Sequence, residues 1–447
     1  MKILLKIFPQ KSHYNATFGL AHALKEAGHE VVYAGIPQMR GHVEAQGFAY
    51  FEEDDGIFPY NDGHAQSPTL SFWSLVRNWR AMHSTRGITK AVFSRGSFFD
   101  ALLKNTKPNL FLVDSPYTFF ALTLFRHKVP FAMLESMMNL NRASNLPPMD
   151  TTYVPTDSAI SRLICALHWQ RYFIKRWLLS RIGFRIDLNE RFVRECARKW
   201  KVDISAVSFD RYFHLGLTNI PEILLSPRHL DFPRTLEPNQ HYFSRECPVK
   251  RSETSSDYRF PQILEKFKAA RLRDRPLIYC SLGTACKRYV GAARFFIQVA
   301  LACRNKDWNL IIAMNDLFGE VAIPEGDNIE VFQTVPQLEL LPNADLMITH
   351  GGMNSIAECA EYQVPMLVCP GTDEIDQAGN AARVVYHKLG IKGTLRIDSA
   401  DKIAKQIELN FTRSRKIQQQ YSNSKAAPTE CNNIIANVLP IRWEHFP

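Results

Sequence analysis

The stretch from Phe332 to Gly390 limits what this chain can fold into more than any other part of it. Leu346-Met347-Ile348-Thr349 is a short apolar run that reads as a buried strand, and it stops at His350-Gly351-Gly352. A helix is expected next, with Asn354 or Ser355 as its cap, Glu358 in its first turn, and Ile356, Cys359 and Ala360 as its apolar face. Glycines at such a junction carry no Cβ atoms, so an anion can reach bare N–H groups at the positive end of the helix dipole. Phosphate suits that place. His350 adds a hydrogen-bond donor, and Glu358 stands where ribose hydroxyls would fall. Val364 to Pro370 reads as the following strand, with Asp376-Gln377 in the loop beyond it. Ligands of open α/β sheets bind outside the carboxyl ends of the strands, so both loops are expected to face one crevice.

The residues Val335-Pro336-Gln337, His350-x-Gly352-x-Asn354-Ser355-x-x-Glu358 and Asp376-Gln377 together resemble the donor signature of the inverting nucleotide-sugar glycosyltransferases of the GT-B fold. The likeness is nearest to bacterial enzymes that glycosylate lipophilic secondary metabolites, of the zeaxanthin and macrolide type. The resemblance implies that His350, Gly352, Asn354 and Ser355 hold a diphosphate, that Glu358 holds the ribose, and that Gln337 lies at the ribose or base edge, with Val335 among the donor-binding residues. Asp376 and Gln377 would hold sugar hydroxyls. Thr334 stands where the family usually has a tryptophan that stacks on the base, which leaves the choice between a UDP- and a dTDP-sugar open.

The amino end begins β-α-β: Ile3 to Phe8 reads as a strand, Pro9 to His13 as the turn after it, Thr17 to Ala27 as a helix and Val31 to Ala34 as a strand. The turn lacks G-x-G-x-x-G, which disfavours a nicotinamide enzyme. Activating an acceptor hydroxyl needs a base within hydrogen-bond reach, and an imidazole suits the task. A carboxylate then fixes its tautomer. His13 matches the general base of the resembled family. Asp114 ends the apolar run Asn109–Val113 and is the candidate supporting acid. Taken alone, either residue could equally cap a helix or face water. Ser136, beyond the strand Val129–Leu134, and Thr284, in Ser281-Leu282-Gly283-Thr284, resemble family positions that touch the donor.

With 447 residues the chain is long enough for two domains, and 46% hydrophobic against 22% charged residues is ordinary for globular proteins. The expected division is an acceptor-binding Rossmann-like domain over 1–245, a linker over 246–273, a donor-binding domain over 274–400, and a helical tail over 401–447 that returns to the first domain. Nine scattered cysteines without a C-x-x-C pair point to reduced thiols in a cytoplasmic protein, without structural zinc. Asp373 and Glu374 lack companions for a metal site, so no metal and no cofactor is expected. No apolar run approaches the roughly 18 residues of a membrane span. Lys6 interrupts the apolar start, so no signal peptide is expected.

Glu52 to Asp55 and Asn61 to Ser67 read as solvated loop, and Phe72 to Trp79 as an aromatic helix that either packs conventionally or lines an acceptor pocket. Residues 161–201 interleave arginines and lysines with aromatic and aliphatic side chains. They read as a helix pair with a snorkelling basic face, or as a peripheral membrane contact suited to a lipid-soluble acceptor. Nucleic acid is not an expected partner, although the formal charge is +10. The reading that follows is an α/β, GT-B chain of two facing Rossmann-like domains with parallel sheets. It would move a hexose from a nucleoside-diphosphate sugar to a hydroxyl of a lipophilic small molecule. A nucleotide-sugar-binding protein without transfer, or a nucleotide-sugar epimerase, is the alternative.

Overall fold

A computed structural model describes residues 1–53, 102–127, 129–181, 190–243, 251–253, 257–271, 274–372, 375–396 and 398–423. The expected aromatic helix at Phe72–Trp79, the loop from Asp54 to Ser67, the pair Asp373-Glu374 and the tail beyond 423 lie outside the described residues.

Two parallel sheets organise the chain. Among the described residues the first has seven strands, in the spatial order Ala49–Glu52, Glu30–Gly35, Lys2–Lys6, Leu110–Asp114, Phe131–Glu135, Glu222–Leu224 and Gln240–Tyr242. Every pairing in it is parallel. Side chains alternate between two faces that are both covered: Ile3 and Leu5 join the core beneath the helix Lys11–Glu26, while Leu4 joins the core of the opposite face. That double burial is why these strands are near-continuous apolar runs. The second sheet has six strands in the order Ile329–Phe332, Asn309–Ala313, Leu277–Ser281, Leu346–Thr349, Met366–Val368 and Gly390–Lys392, again all parallel. Leu277 and Tyr279 face one core, and Ile278 and Cys280 the other.

Each sheet reverses its strand order at one place. Lys2–Lys6 lies beside Leu110–Asp114 in the first, and Leu277–Ser281 beside Leu346–Thr349 in the second. Crevices open at such reversals, outside the carboxyl ends of the two strands. His13, Asp114, Gly283 and His350 all lie at or just beyond those ends.

Several sequence expectations need correction. The first helix starts at Lys11, not Thr17, so His13 sits in its first turn instead of in a loop. Lys11-Ser12-His13-Tyr14-Asn15 carries no apolar stripe to announce a helix, yet Tyr14 and Ala16 are buried against the sheet and hold the turn in place. Glu52 ends a strand, and Glu53, expected in solvated loop, is buried and pairs with Lys6. Gln240–Tyr242 pairs parallel with Glu222–Leu224 and forms the far edge of the first sheet.

Phe260–Arg271, within the expected linker, is a helix. It buries Phe260, Leu264 and Phe267 against the second sheet. The helix Ala400–Asn423 places Ile403 and Ile407 in that sheet's other core. Between the two halves, Arg383 donates from Nε to Asp231 Oδ1 at 2.7 Å and lies 4.4 Å over the Phe232 ring. Both charged groups are buried, and the Gly379 N–H donates to the Met149 carbonyl at 2.8 Å alongside them.

Candidate active site

The helix that follows Leu346–Thr349 begins at Met353, with Gly352 as its N-cap and no side chain capping it. Asn354 and Ser355 are therefore inside the first turn, not at the cap, and Glu358 falls in the second turn. The uncapped N–H groups at this end remain available to a ligand. Gly351 has φ +91° and Gly283 has φ +82°, a left-handed backbone that glycine adopts without strain. A Cβ on Gly283 would lie 2.6 Å from His350 Cε1, and one on Gly352 2.8 Å from His350 Nε2. The imidazole thus occupies the space that two glycines leave.

His350 is held neutral. Burial, reinforced by the Arg288 guanidinium, pushes its pKa down to about 3. A neutral imidazole donates one hydrogen bond and adds no charge, while Arg288 supplies the cation. The Nδ1 atom of His350 and Nε of Arg288 are both buried without a hydrogen-bond partner among the described residues. Buried polar atoms of that kind call for a partner from water or a ligand. Asp376 is the N-cap of the helix Gln377–Tyr386. Asn380 donates to Asp376 Oδ2 at 2.8 Å and to the Gly351 carbonyl at 2.9 Å, so it ties the acid to the glycine turn. Burial holds the Asp376 carboxyl above the usual carboxylate range.

On the facing wall His13 Nδ1 lies 2.7 Å from Asp114 Oδ2, which also accepts from the Phe8 N–H at 3.1 Å. Ser136 Oγ lies 3.0 Å from the same imidazole nitrogen. With Nδ1–H donating to the carboxylate, Nε2 carries the lone pair. Burial pulls the His13 pKa down, but the Asp114 carboxylate outweighs it, and the net position is above 6.5. Behind the dyad, Glu135 is buried beside Arg211 and Glu222, and burial raises its pKa to about 7.

The two walls enclose one cavity of about 380 Å³. His13, Ser136, His350, Gly352, Asn354, Asp376 and Gln377 line it, and Asp114 stands directly behind His13. Gln377 is occupied internally: its Oε1 accepts from the Gly371 N–H at 2.8 Å and its Nε2 donates to the Tyr289 hydroxyl at 2.8 Å. Thr284, Val335, Gln337, Ser355 and Glu358 do not line the cavity. Glu358 is fully buried and accepts from Arg251 Nη1 at 2.6 Å and from Gln337 Nε2 at 2.5 Å. Gln46 in turn clamps the next residue of that connector through paired hydrogen bonds, donating to the Ser252 carbonyl and accepting its N–H, both at 2.9 Å.

Sequence reasoning missed Arg288 and Tyr289, which line the second-sheet wall, and Phe213 and His214, which line the first. The adjacent pair Lys287-Arg288, soon after a glycine-containing strand end, was the available signal for the first two.

Residues 275–437 match the glycosyltransferase family 28 C-terminal domain. The zeaxanthin glucosyltransferase of Pantoea ananas is 25% identical over 289 residues, which is 64% of this chain and 60% of that protein. NDP-glycosyltransferase YjiC of Bacillus subtilis is 38% identical over 112 residues, 24% of this chain and 27% of that protein. The chain thus spans less than two thirds of these curated relatives. The calicheamicin glycosyltransferase CalG4 superposes with a TM-score of 0.62 at 18% identity, covering 98% of this chain and 97% of that one. The spinosyn rhamnosyltransferase SpnG, complexed with thymidine diphosphate, gives 0.60 at 14% identity, covering 98% and 100%. The fold resemblance drawn from the donor block is borne out over nearly the full length.

Proposed function

We propose, for a chain with the GT-B glycosyltransferase fold and a glycosyltransferase family 28 C-terminal domain, that it transfers a hexose with inversion from a nucleoside-diphosphate sugar to a hydroxyl of a lipophilic small molecule. One observation carries this reading: a carboxylate-backed imidazole and an uncapped helix N-terminus face each other across a single cavity. His13 Nε2 takes the acceptor proton as the acceptor oxygen bonds to the anomeric carbon. The bond from that carbon to the diphosphate oxygen breaks on the opposite face, which inverts the centre. Asp114 holds the imidazole's tautomer and stabilises the imidazolium.

The leaving diphosphate is received by the N–H groups after Gly352, by neutral His350 and by cationic Arg288, an arrangement that meets developing negative charge without reorganisation. Asp376, fixed by Asn380, is placed to accept from sugar hydroxyls. The thymidine diphosphate of the SpnG complex and the zeaxanthin acceptor named for the Pantoea enzyme support a nucleotide-sugar donor and an apolar acceptor here. Phe8, Met137 and Phe213 on the first-sheet wall suit such an acceptor.

The test supplies UDP- and dTDP-sugars with a panel of hydroxylated apolar acceptors and reads both product and anomeric configuration. An inverted glycoside made by the wild type, and lost in His13→Ala while the donor still binds, is the expected result. Tight nucleotide binding with no transfer or donor hydrolysis across the panel would instead make this a binding protein.

A further inference from the structure

The helix Ala159–Arg181 carries apolar residues on two opposite sides. Cys165, Trp169 and Tyr172 are buried. Ile160, Leu163, Leu167, Ile174 and Leu178 are 71%, 61%, 60%, 58% and 53% exposed. At about 100° per residue these five fall within an arc of roughly 60°, on the side away from the buried three. An apolar stripe of that length on a surface marks a site of interaction.

From this stripe and its charged border we infer that the helix is a docking face for an anionic lipid surface, on which it lies without crossing. The helix contains no Asp or Glu. Among the described side chains its exposed charges are Arg162, Arg171 and Lys175, and at the same angular spacing Lys175 and Arg171, the latter also paired with Asp150 at 3.4 Å, border the stripe. An apolar face edged by cations is the pattern that settles into the headgroup boundary of anionic bilayers. No described helix is long and apolar enough to span a membrane. A second copy of the chain fits less well: a two-fold interface on this stripe would oppose like charges from Arg171 and Lys175 of both partners.

The buried side of the same helix reaches the cavity. Tyr172 Oη accepts from the Phe213 N–H at 2.7 Å, and Phe213 lines the cavity together with His13. A lipid-soluble molecule at the bound surface would therefore lie about one helix diameter, roughly 10 Å, from the side chains that back the acceptor wall. Docking is independent of the transfer reaction and is measured without substrate.

The experiment is sedimentation of the full chain with vesicles of phosphatidylcholine alone and of phosphatidylcholine containing phosphatidylglycerol. Wild type is expected to bind the anionic vesicles, and less so as salt rises. The Leu163→Gln, Leu167→Gln, Ile174→Gln triple variant should bind them at least about tenfold more weakly. Lys175→Gln should weaken the salt-dependent part of binding and keep the wild-type melting temperature, Arg171 being left in place because it pairs with the buried Asp150 at 3.4 Å. The inference is overturned if wild type sediments with neither vesicle, or if both variants bind as wild type does. It is overturned equally if vesicle-free ultracentrifugation shows a dimer that the triple variant dissolves.

Discussion

Asn354 Nδ2 donates a 2.8 Å hydrogen bond to the Ser12 carbonyl, joining the first turn of the helix Met353–Glu361 to the residue beside His13. A side chain proposed to meet the donor diphosphate thus also ties the two walls together. Asn354→Asp acts on both roles, because a carboxylate has no N–H to donate and the bond to the Ser12 carbonyl is lost. An acid in the first turn of a helix stabilises it by about 0.3–1 kcal/mol, whereas it repels a diphosphate arriving at the same N–H groups. The lost hydrogen bond, worth about 0.5–1.5 kcal/mol, offsets that gain, so the melting temperature should hold or fall slightly while donor affinity, read by calorimetry, falls by about tenfold or more. Undiminished affinity would place the diphosphate elsewhere.

The His13–Asp114 pair makes a prediction about pH. Because the His13 pKa lies above 6.5 and the base form is the neutral one, kcat/KM should rise with pH through a midpoint above 6.5. Asp114→Asn removes the counter-charge and leaves burial, which acts the other way, so the midpoint should move down while kcat drops by about 10²- to 10⁴-fold. Stability runs opposite to rate. A raised histidine pKa stabilises the fold fully below 6.5, and that contribution is lost as pH rises through the folded-state value. A pH–rate profile of the two proteins checks the first sign, and melting temperatures over the same pH range check the second.

Arg251 covers the carboxylate that the family resemblance assigns to ribose. Arg251→Ala leaves Glu358 buried with Gln337 alone, which should destabilise the chain by about 3–5 kcal/mol. If ribose hydroxyls take up Glu358, a nucleoside diphosphate should raise the melting temperature more in the variant than in wild type. Equal shifts would mean that the ribose binds away from Glu358.

Gly283→Ala tests the packing of the His350 ring. Its φ of +82° and a Cβ 2.6 Å from His350 Cε1 combine backbone strain with a clash, together worth about 1–3 kcal/mol. Adding His350→Ala removes the clash but not the strain. The double variant should therefore melt above the single Gly283→Ala protein while binding no donor more tightly.

The parallel sheets and the glycine turn were legible because buried strands leave unbroken apolar runs, and Leu346–Thr349 ends abruptly at His350-Gly351-Gly352. The start of the first helix was not. Lys11 to Asn15 shows no periodic stripe, and only contact with the sheet fixes it as helix. Arg288 escaped notice because a single 3₁₀ turn, Cys286–Arg288, has no periodicity to read. The Arg251–Glu358 contact joins positions 107 apart, and nothing local in either segment announces the other. The outward stripe of Ala159–Arg181 could be seen as apolar content, but which side faced the core depended on where Trp169 and Tyr172 found partners.

The buried Asp231–Arg383 pair has a practical meaning for anyone recombining glycosyltransferase halves. Asp231 lies in the first half and Arg383 in the second, so exchanging either half for that of a relative breaks the pair: Arg383 loses its acid, and Asp231 keeps only Arg234 as a cation. A working hybrid must import the matching acid or base with the half it replaces, or put a well-fitted apolar pair in the place of both.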